Sequence, residues 1–399
     1  MRELTVAVAG CGPCGLATAI LLARRGHRVT LYERFEAPRP IGSGLMIQPT
    51  GLAVLDHLGL GQRVLAEGAR IDRLFGMAGP RVVLDVHYKA LGQPSLFGIG
   101  IHRATLFAAL HDGVLEAGIT MRTGKEVAGT RIDSNGRVLL FADGSQSEPF
   151  DLVVDALGAR TPLVPNNVGE LAYGALWATV DWPDGTEFDR AALQQRYRRS
   201  SVMIGVLPIG SGGDGQMRAA FFWSLRSDRL ADWRSGGLDK WKSEVRALWP
   251  ECQQLLDQIG HQDRLTFARY SHRTARPSVE RALIHIGDAW HSASPQLGQG
   301  ANMALLDAWA LATAVDAAAD LDQALRLAAR MRRRHVLIYQ WLTALFTPVY
   351  QSDSRILPFA RDRIVGPLSK IWPATWIQAA MVSGLIGDPL KPLGLSLER

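Results

Sequence analysis

The sequence has few cysteines and lacks long hydrophobic or basic runs, and each absence excludes a class of protein. Three cysteines among 399 residues are too few for a disulfide framework and are typical of a reducing compartment, so we expect a cytoplasmic protein. Without a run of about eighteen apolar residues, no transmembrane segment is expected. The net charge is +6, but without a basic run of about five residues we expect no nucleic-acid partner. Because histidines and cysteines do not cluster at ligand spacing, no metal site is expected.

The sequence does contain a globular composition and a dinucleotide-binding pattern at its N-terminus. Hydrophobic residues make up 47% and charged residues 21%, enough for a sizeable core. An apolar strand, Thr5–Ala9, leads into 10–15 (GCGPCG), a GxGxxG pattern that opens a helical periodicity. Such glycines permit a tight turn, close approach of a pyrophosphate and close helix packing. A second strand, Arg28–Tyr32, precedes Glu33 at about the spacing where an acid binds the adenosine ribose.

A second cofactor-binding pattern lies between residues 283 and 307. Its opening apolar run predicts a buried strand, and Gly287 lets the backbone turn so that Asp288 projects from the strand end. A carboxylate there suits a polyol hydroxyl. After Pro295, two glycines leave backbone N–H groups uncovered, and a helix is predicted to begin near Asn302. Helix N-termini favour negative charge, so this loop would hold the anionic pyrimidine end of a reduced flavin.

Together these two patterns resemble the class A flavoprotein monooxygenases, the p-hydroxybenzoate hydroxylase-like family, and are similar to the FAD hydroxylases of ubiquinone biosynthesis. The resemblance covers 6–34, 42–60, Arg103 and 287–307, and it becomes weak between about 165 and 270. It implies an α/β fold: a GxGxxG Rossmann-like FAD-binding domain with an inserted β-sheet substrate domain and C-terminal helices. It also implies hydroxylation or epoxidation of a small aromatic or other electron-rich apolar molecule through a flavin C(4a)-hydroperoxide. Dioxygen would be the co-substrate and NAD(P)H the electron donor.

The resemblance further implies which residues hold FAD. Glu33 would bind the ribose, Arg103 would lie near the pyrophosphate and ribityl chain, and Asp288 would bind ribityl hydroxyls. The segments 42–48 and 295–302 would lie beside the flavin ring, and the glycines of the first would leave space for ring movement. The expected FAD-binding residues are Gly10, Gly12, Gly15, Glu33, Arg34, Gly44, Arg103, Val127, Asp288, Pro295, Gly298, Gln299, Gly300, Ala301 and Asn302. Pro295 and Gly298 are the expected positions of the oxygen chemistry, with no side-chain acid or base assigned.

One departure from the family pattern concerns the electron donor. The family usually carries Gly-Ala-Asp-Gly after a strand, and its aspartate helps to position the cofactor and the nicotinamide nucleotide. Here Leu157 occupies that position, after a strand predicted over 151–155. This is either drift in a tolerant motif or the mark of an FAD-dependent oxidase, dehydrogenase or cyclase that NAD(P)H does not reduce. Asp155 would face the same side of a strand and could partly substitute. A smaller departure is Trp290, where the family commonly has alanine; its indole would crowd the loop or shape a pocket.

Cys11 and Cys14 form a CxxC pair before a helix, as in thioredoxin-like redox sites, and that position would lower a thiol pKa. Both occupy variable positions of GxGxxG, and no thioredoxin pattern surrounds them. We therefore interpret the pair as coincidental.

Apolar runs and alternation predict a separate antiparallel sheet from the strands 81–89, 175–181, 201–208 and 217–225. Asn135-Gly136 predicts a hairpin, part of a three-stranded excursion from the FAD-binding domain. Helices are expected over 190–199 and over 238–259, with a break at Pro250.

The second sheet would roof a substrate pocket above the flavin. The candidate substrate residues are Gln48, Trp177, Phe221 and Trp223. Alternation along a strand places Phe221 and Trp223 on one face and Phe222 on the other, and one of these faces must pack the core.

These patterns divide the chain into three parts. They are an FAD-binding domain (1–70, 99–170 and 273–335), a substrate-binding sheet domain (71–98 and 171–272) and C-terminal helices (336–399). The basic cluster 330–335 is expected at the end of a helix, as a solvated face. The apolar segments 337–350 and 371–386 would pack on the protein's own body or on a second copy, in a monomer or homodimer, with peripheral membrane contact as the alternative. A non-catalytic FAD-bound subunit of a membrane-associated complex would also suit them.

Overall fold

The computed structural model describes residues 2–37, 43–165 and 169–397. The strands, numbered in chain order, are β1 (Thr5–Ala9), β2 (Arg28–Tyr32), β3 (Gly44–Ile47), β4 (Ala69–Ile71), β5 (Arg73–Ala78), β6 (Arg81–His87), β7 (Gly98–His102), β8 (Thr120–Arg122), β9 (Val127–Asp133), β10 (Gly136–Phe141), β11 (Leu152–Asp155), β12 (Gly169–Glu170), β13 (Tyr173–Asp181), β14 (Ala192–Arg198), β15 (Val202–Pro208), β16 (Arg218–Arg226), β17 (Thr266–Ala268), β18 (Ser271–Thr274), β19 (Val279–Glu280), β20 (Leu283–His285) and β21 (His291–Ser292). The α-helices are α1 (Pro13–Ala23), α2 (Pro49–His57), α3 (Gly61–Glu67), α4 (Arg103–Glu116), α5 (Leu230–Gly236), α6 (Leu238–Leu248), α7 (Gln253–Asp257), α8 (Gly300–Ala317), α9 (Leu321–Tyr350), α10 (Ile356–Ala360), α11 (Gly366–Leu368) and α12 (Ala374–Val382).

The first sheet has the strand order β19-β20-β11-β1-β2-β8. Its central strand β1 pairs in parallel with both β2 and β11. Nearly every residue of β1 and β11 is buried, as expected for parallel strands covered by helices on both faces. Helices α1 and α8 pack against each other beside this sheet through fully buried side chains such as Leu16 and Leu305. The Rossmann-like α/β fold predicted from the sequence is confirmed.

The hairpin predicted at Asn135-Gly136 is present between β9 and β10, but the predicted third strand is not. Gly136 has φ +146°, and a Cβ there would lie 2.2 Å from the carbonyl oxygen of Phe150, so this turn needs glycine. The expected third strand is reduced to isolated bridges, which pair Arg137 with Phe150 and Leu140 with Gln146. The short returning segment 142–151 is therefore bridged to β10 without forming a ladder of its own.

The second sheet has the order β17-β13-β16-β15-β14-β5-β6 and is antiparallel except where β14 meets β5. Helices α5, α6 and α7 cover one of its faces, where Trp241 and Trp249 are buried. The other face packs against the C-terminal helices and against β3 and β4, which belong to a separate three-stranded sheet of order β3-β7-β4. The separate sheet predicted from the sequence is confirmed, as is the helical stretch interrupted at Pro250.

The prediction of a helix over 190–199 was wrong, because this segment forms β14. Its sequence, ALQQRYR, contains good helix formers. However, β14 is paired with β15 on one side and with β5 on the other, and its Gln195 and Tyr197 side chains are buried. Pairing inside the sheet therefore overrides the local helix propensity.

The prediction that the basic cluster 330–335 ends a helix was also wrong. Helix α9 continues for 30 residues and places the cluster near its middle. Arg332 and His335 are buried, whereas Arg330, Arg333 and Arg334 are exposed, so only part of the cluster is a solvated face. Among the described residues, every helix is too short or too polar to cross a lipid bilayer.

Candidate active site

A cavity of about 1720 Å³ lies between the two large sheets and the C-terminal helices. Single-ligand pockets usually measure about 300–1000 Å³, so this cavity has room for a cofactor and a second ligand. Its charged lining residues are Glu33, Arg34, Arg103, Lys125, Glu126, Arg160, Glu170, Arg269 and Asp288. Within the part of the chain that the structure describes, neither the second sheet nor the segment 342–382 contributes a charged side chain to the lining. The cavity therefore has a polar half and an apolar half.

The turn after β1 has the geometry that a bound pyrophosphate requires. Gly10 has φ +104°, and a Cβ there would lie 2.5 Å from the carbonyl oxygen of Ala156. A Cβ on Gly15 would lie 1.9 Å from the carbonyl oxygen of Gly10, so this glycine allows α1 to pack on β1. A Cβ on Gly12 would meet nothing within 4 Å, because this residue faces the open cavity. The residues present therefore fit a dinucleotide at this turn.

Glu33 lies at the same end of the cavity. Its carboxylate accepts hydrogen bonds from the backbone N–H groups of Cys11, at 3.1 Å, and Phe35, at 3.2 Å. These two bonds fix the carboxylate beside the glycine turn, and a carboxylate can accept further hydrogen bonds from a ribose.

The segment 295–302, which we call the flavin loop, lies at the N-terminus of α8. Gly298 has φ +61° and follows a 3₁₀ turn, Pro295–Leu297. The first N–H groups of α8 have no partner within the helix and lie at the cavity, where they favour an anionic group.

Asn302 joins this loop to β3 instead of lining the cavity, which corrects its expected role in contacting FAD. Its Nδ2 donates to the carbonyl oxygens of Gly298, at 2.9 Å, and Met46, at 3.1 Å. Its Oδ1 accepts from the backbone N–H of Gln48 at 2.8 Å. With these three hydrogen bonds, Asn302 fixes the position of the loop.

Gln48 presents a buried donor without a protein partner. Its Oε1 accepts a hydrogen bond from the Tyr88 hydroxyl at 2.5 Å, which orients the amide. Its Nε2 has no hydrogen-bond partner among the described residues although Gln48 is fully buried, and it lies 3.6 Å from the Cβ position of Gly298. Since Gln48 lines the cavity beside the flavin loop, this N–H group is available to a bound ligand.

Asp288 projects into the cavity from the turn after β20, as the sequence predicted. Enclosure by the protein raises the pKa of its carboxyl group, and the nearby His291, Arg103 and Arg273 act in the opposite direction. The carboxylate of Asp307 fixes this turn by accepting a hydrogen bond from the backbone N–H of Gly287 at 2.9 Å.

Asp307 is also the centre of a buried charged cluster. Its carboxylate accepts hydrogen bonds from His291 Nε2, at 2.6 Å, and Arg332 Nε, at 2.8 Å. Burial opposes ionisation, but His291 and Arg332 outweigh it and lower the pKa of Asp307 to about 2. Arg332 in turn contacts His335 Nδ1 at 3.0 Å, and burial beside Arg332 keeps the pKa of His335 well below its usual value. Sequence reasoning missed this cluster, since its members are far apart in the chain.

Leu157 lines the cavity and packs against the core beside β11. The expectation that Asp155 could substitute for the missing aspartate is wrong. The Asp155 carboxylate is fully buried and accepts hydrogen bonds from Thr161 Oγ1, at 2.8 Å, and the Leu157 N–H, at 3.1 Å, and it pairs with His285 Nδ1 at 2.7 Å. These contacts hold the side chain in the interior, and Asp155 is not among the residues that line the cavity.

The cysteine pair is buried, and burial raises both thiol pKa values instead of lowering them. The pKa of Cys11 rises to about 12, with Glu33 adding to the effect of burial, and that of Cys14 also lies well above its usual value. Cys14 Sγ donates to the carbonyl oxygen of Ala304 at 3.3 Å, and a Cβ on Gly287 would lie 3.1 Å from this sulfur. Cys14 therefore packs between α1, α8 and the turn at Gly287. Because both thiols are buried and their pKa values are raised, thiolate chemistry at the pair is disfavoured.

The apolar half of the cavity contains Trp177 but not Phe221 or Trp223. The latter two face the opposite side of the sheet and pack against Trp241, with ring centroids 6.0 Å and 6.2 Å away. Phe222 lines the cavity in their place and packs against Trp177 in a tilted arrangement, with ring centroids 4.6 Å apart. The alternation along β16 gave the two possible faces, but only the position of α6 decides which one is core.

Three further residues complete this description. Tyr270, which sequence reasoning missed, accepts a hydrogen bond from Trp177 Nε1 at 3.0 Å and lines the cavity. Trp290 is buried against α9 and does not line the cavity, so its indole fills the core behind the loop. A side chain on Gly44 would meet Ile209 at 2.6 Å, so close sheet packing requires this glycine. Gly42 lies outside the described residues.

Most of the site residues expected from the sequence do meet at this cavity. Those that line it are Gly10, Gly12, Glu33, Arg34, Gly44, Gln48, Arg103, Val127, Trp177, Asp288, Pro295, Gly298, Gln299, Gly300 and Ala301. Those that the lining does not include are Gly15, Asn302, Phe221 and Trp223.

Comparison with known proteins agrees with this geometry. The family model described as "FAD binding domain" matches residues 3–336. Over 333 residues the chain is 25% identical to 3-hydroxybenzoate 6-hydroxylase of Klebsiella oxytoca, covering 79% of this chain and 80% of that protein. It is 26% identical over 324 residues to 6-hydroxynicotinate 3-monooxygenase of Bordetella bronchiseptica, covering 76% and 80%. The fold is similar to that of Klebsiella pneumoniae HpxO complexed with FAD and uric acid, with a TM-score of 0.78, 20% identity and coverage of 96% and 98%.

The chain belongs to the FAD binding domain family. Within it, the protein is a class A flavoprotein monooxygenase, an FAD-dependent oxidoreductase, as the sequence resemblance implied. The protein is therefore an enzyme, and the alternative of a non-catalytic FAD-bound subunit is rejected.

Proposed function

We propose that this monooxygenase hydroxylates, or epoxidises, a neutral apolar aromatic compound, with NAD(P)H as electron donor. The strands of the second sheet and the segment 342–382 contribute no charged side chain to the described lining, and this observation carries the proposal. The charged lining residues next to this sheet, Arg269 and Glu170, are exposed and pair with each other at 3.7 Å. Burying a neutral polar group without a hydrogen-bond partner costs on the order of 2–7 kcal/mol, and burying an unpaired carboxylate costs more. A carboxylated aromatic is therefore disfavoured there. Relatives named for hydroxybenzoate and hydroxynicotinate support the aromatic class.

In this proposal the polar half holds FAD. Glu33 binds the ribose, the glycine turn and Arg103 hold the pyrophosphate, and Asp288 accepts the ribityl hydroxyls. The N-terminus of α8 faces the pyrimidine end of the ring, where its N–H groups stabilise negative charge. When bound, FAD would supply the electrons that activate dioxygen, and dioxygen would supply the oxygen atom that is transferred. The apolar walls exclude water from this position.

The tyrosines of the apolar half limit the substrate further. Burial raises the pKa of Tyr270 to about 12 and that of Tyr197 well above its usual value, so neither ionises near neutral pH. Burial also raises the pKa of Tyr350, and the second sheet and the segment 342–382 supply no carboxylate or histidine to the described lining. We therefore propose a ring that is electron-rich without deprotonation. Gln48 Nε2, at the border of the two halves, would orient it or the flavin by donating a hydrogen bond.

Paired ligands test this substrate class. Flavin absorbance of the anaerobic holoprotein should shift on titration with indole or a quinolone. Their carboxylate derivatives should bind at least about thirtyfold more weakly, which corresponds to the lower bound of about 2 kcal/mol. Phe222→Leu should change the affinity, whereas Phe221→Leu, its neighbour on the covered face, should leave it unchanged. Tighter binding of the carboxylates would reject the proposal.

The electron donor is a separate proposal. Leu157 places an apolar side chain in the cavity at the position where the family usually has aspartate, which favours the second candidate, an oxidase, dehydrogenase or cyclase that NAD(P)H does not reduce. Anaerobic mixing of the holoprotein with NADH or NADPH, with and without a bound aromatic, decides between them. Bleaching of the oxidised flavin band supports the monooxygenase cycle, and its absence supports the second candidate.

A cytoplasmic location and a monomeric or homodimeric state complete the proposal. Three buried cysteines without disulfides agree with a reducing compartment. Sedimentation of the holoprotein would determine the oligomeric state.

A further inference from the structure

The C-terminal helices expose an unusual number of large apolar side chains. Among the described residues thirteen such side chains are exposed, and eleven of them lie between Trp341 and Ile377. The most exposed are Trp372 at 79%, Ile356 at 78% and Trp341 at 76%. We call these eleven side chains the apolar surface. Scattered exposed apolar residues are ordinary, but a concentration of this kind marks an interaction site.

The apolar surface surrounds an opening of the cavity. Leu345 of α9, Val365 and Leu368 on either side of Gly366, and Ile377 of α12 are exposed and also line the cavity. The end of α11 and α12 are joined by a hydrogen bond from Gln378 Nε2 to the carbonyl oxygen of Ser369 at 3.1 Å. The apolar half of the cavity is therefore continuous with the apolar surface.

Exposed basic side chains lie within this surface, whereas the two carboxylates of the same stretch are already paired. Arg355, Arg363 and Lys370 are exposed, and the sequence from 363 to 387 contains no Asp or Glu. The two nearest carboxylates already have partners. Asp353 pairs with Arg226 and accepts the Tyr173 hydroxyl at 2.6 Å, and Asp362 pairs with Arg361 at 2.7 Å.

Two kinds of partner would cover the apolar surface together with Arg355, Arg363 and Lys370, which we call its basic rim. In a symmetric contact between two copies, each rim would face the same basic rim of the other copy, and like charges would repel. An anionic lipid bilayer complements both features, because acyl chains take up the apolar side chains and headgroups attract the basic ones. The exposed tryptophans fit this setting, since their amphipathic rings favour the membrane–water interface.

We propose that the apolar surface docks on an anionic lipid bilayer, with the cavity opening turned towards the acyl chains. The chain lies on the bilayer without crossing it, in keeping with the lack of a described helix able to span one. Apolar ligands dissolved in the bilayer enter the cavity directly. This proposal is independent of the substrate class and the electron donor.

Flotation of the FAD-loaded protein with vesicles tests the docking. Vesicles of phosphatidylcholine with phosphatidylglycerol should bind the protein, and phosphatidylcholine alone should bind it much more weakly. Each basic side chain near an anionic surface strengthens binding about fivefold, so Arg355→Gln/Arg363→Gln/Lys370→Gln should weaken it about a hundredfold. The matched control is Arg234→Gln/Lys240→Gln/Arg246→Gln, which removes three exposed charges from α5 and α6 and should bind like the unmodified protein.

A second variant separates the apolar contribution from the charges. Trp372→Ser should weaken binding to anionic vesicles and keep the FAD spectrum unchanged. Hydrogen exchange should show protection of residues 354–378 by vesicles. Equal binding of the basic-rim variant and its control would overturn the proposal. So would the absence of vesicle binding together with a dimer that Trp372→Ser converts to a monomer, which would assign the surface to a second copy.

Discussion

Replacing Asp307 with asparagine removes the carboxylate that compensates the buried Arg332 in the cluster behind the flavin loop. Asparagine has nearly the same shape, so the change removes charge with little loss of volume. Asparagine carries an NH₂ group in place of one carboxylate oxygen. In either orientation of the amide, this group would face His291 Nε2 or Arg332 Nε, which are themselves hydrogen-bond donors. Arg332 is 1% exposed, and its Nη2 already lacks a hydrogen-bond partner in the described part of the chain, so water does not compensate the lost charge.

The expected cost follows from this burial. Breaking a buried ion pair by removing one partner costs about 3–5 kcal/mol, because the remaining charge stays buried. Typical unfolding free energies are about 5–15 kcal/mol, so Asp307→Asn should fold but unfold at much lower urea concentration. Asp307→Asn/Arg332→Met, which also removes the orphaned charge, should be more stable than the single variant. Urea unfolding of the apoproteins, followed by circular dichroism and tryptophan fluorescence, measures all three.

The pH dependence has a definite sign. The pKa of Asp307 is about 2 in the folded protein and about 4 when unfolded, so its contribution is fully present above about pH 4. The contribution is lost as the pH falls through the folded value. The difference between the unmodified protein and Asp307→Asn should therefore be constant from pH 7 to pH 5 and shrink below pH 4. A difference under about 1 kcal/mol at pH 7 would refute the assigned role of the cluster.

Three further predictions concern the cavity itself. Glu33→Ala and Asp288→Ala should each weaken FAD binding by about 1.5–3 kcal/mol, because a sugar hydroxyl loses a charged acceptor; titration of the apoprotein measures this, and unchanged affinity in both would remove the site assignment. Cys11→Ser/Cys14→Ser should retain turnover once FAD is loaded, since the thiols are buried and protonated, whereas complete loss would restore a redox role. Leu157→Asp should accelerate anaerobic flavin reduction by NAD(P)H relative to Leu157→Asn if a missing carboxylate limits that step. Rapid reduction of the unmodified protein would instead make the leucine a harmless substitution.

The parts of the fold that were predictable from the sequence are those set by local rules. A glycine turn between an apolar strand and a helix, with Glu33 after the next strand, leaves little freedom, and the structure places these elements as expected. The same applies to the turn at Gly287 and to the hairpin at Gly136, where positive φ values require glycine.

The errors arose where long-range packing decides. The residues of β14 favour a helix until β5 and β15 pair with them on both sides. Alternation along β16 predicts that Phe221 and Phe222 face opposite ways, but the choice of face depends on where α6 lies. The pairing of Asp307 with Arg332 joins residues 25 positions apart on two helices, which no local pattern reveals.

The continuity of the cavity has a consequence for the order of ligand binding. No described element divides the polar half from the apolar half, so in the proposed complex the flavin ring itself would form the floor of the substrate chamber. An aromatic ligand entering the apoprotein would find one wall missing and would be free to slide towards the glycine turn. Selectivity for the substrate would then be a property of the holoprotein alone, created when the cofactor closes the chamber.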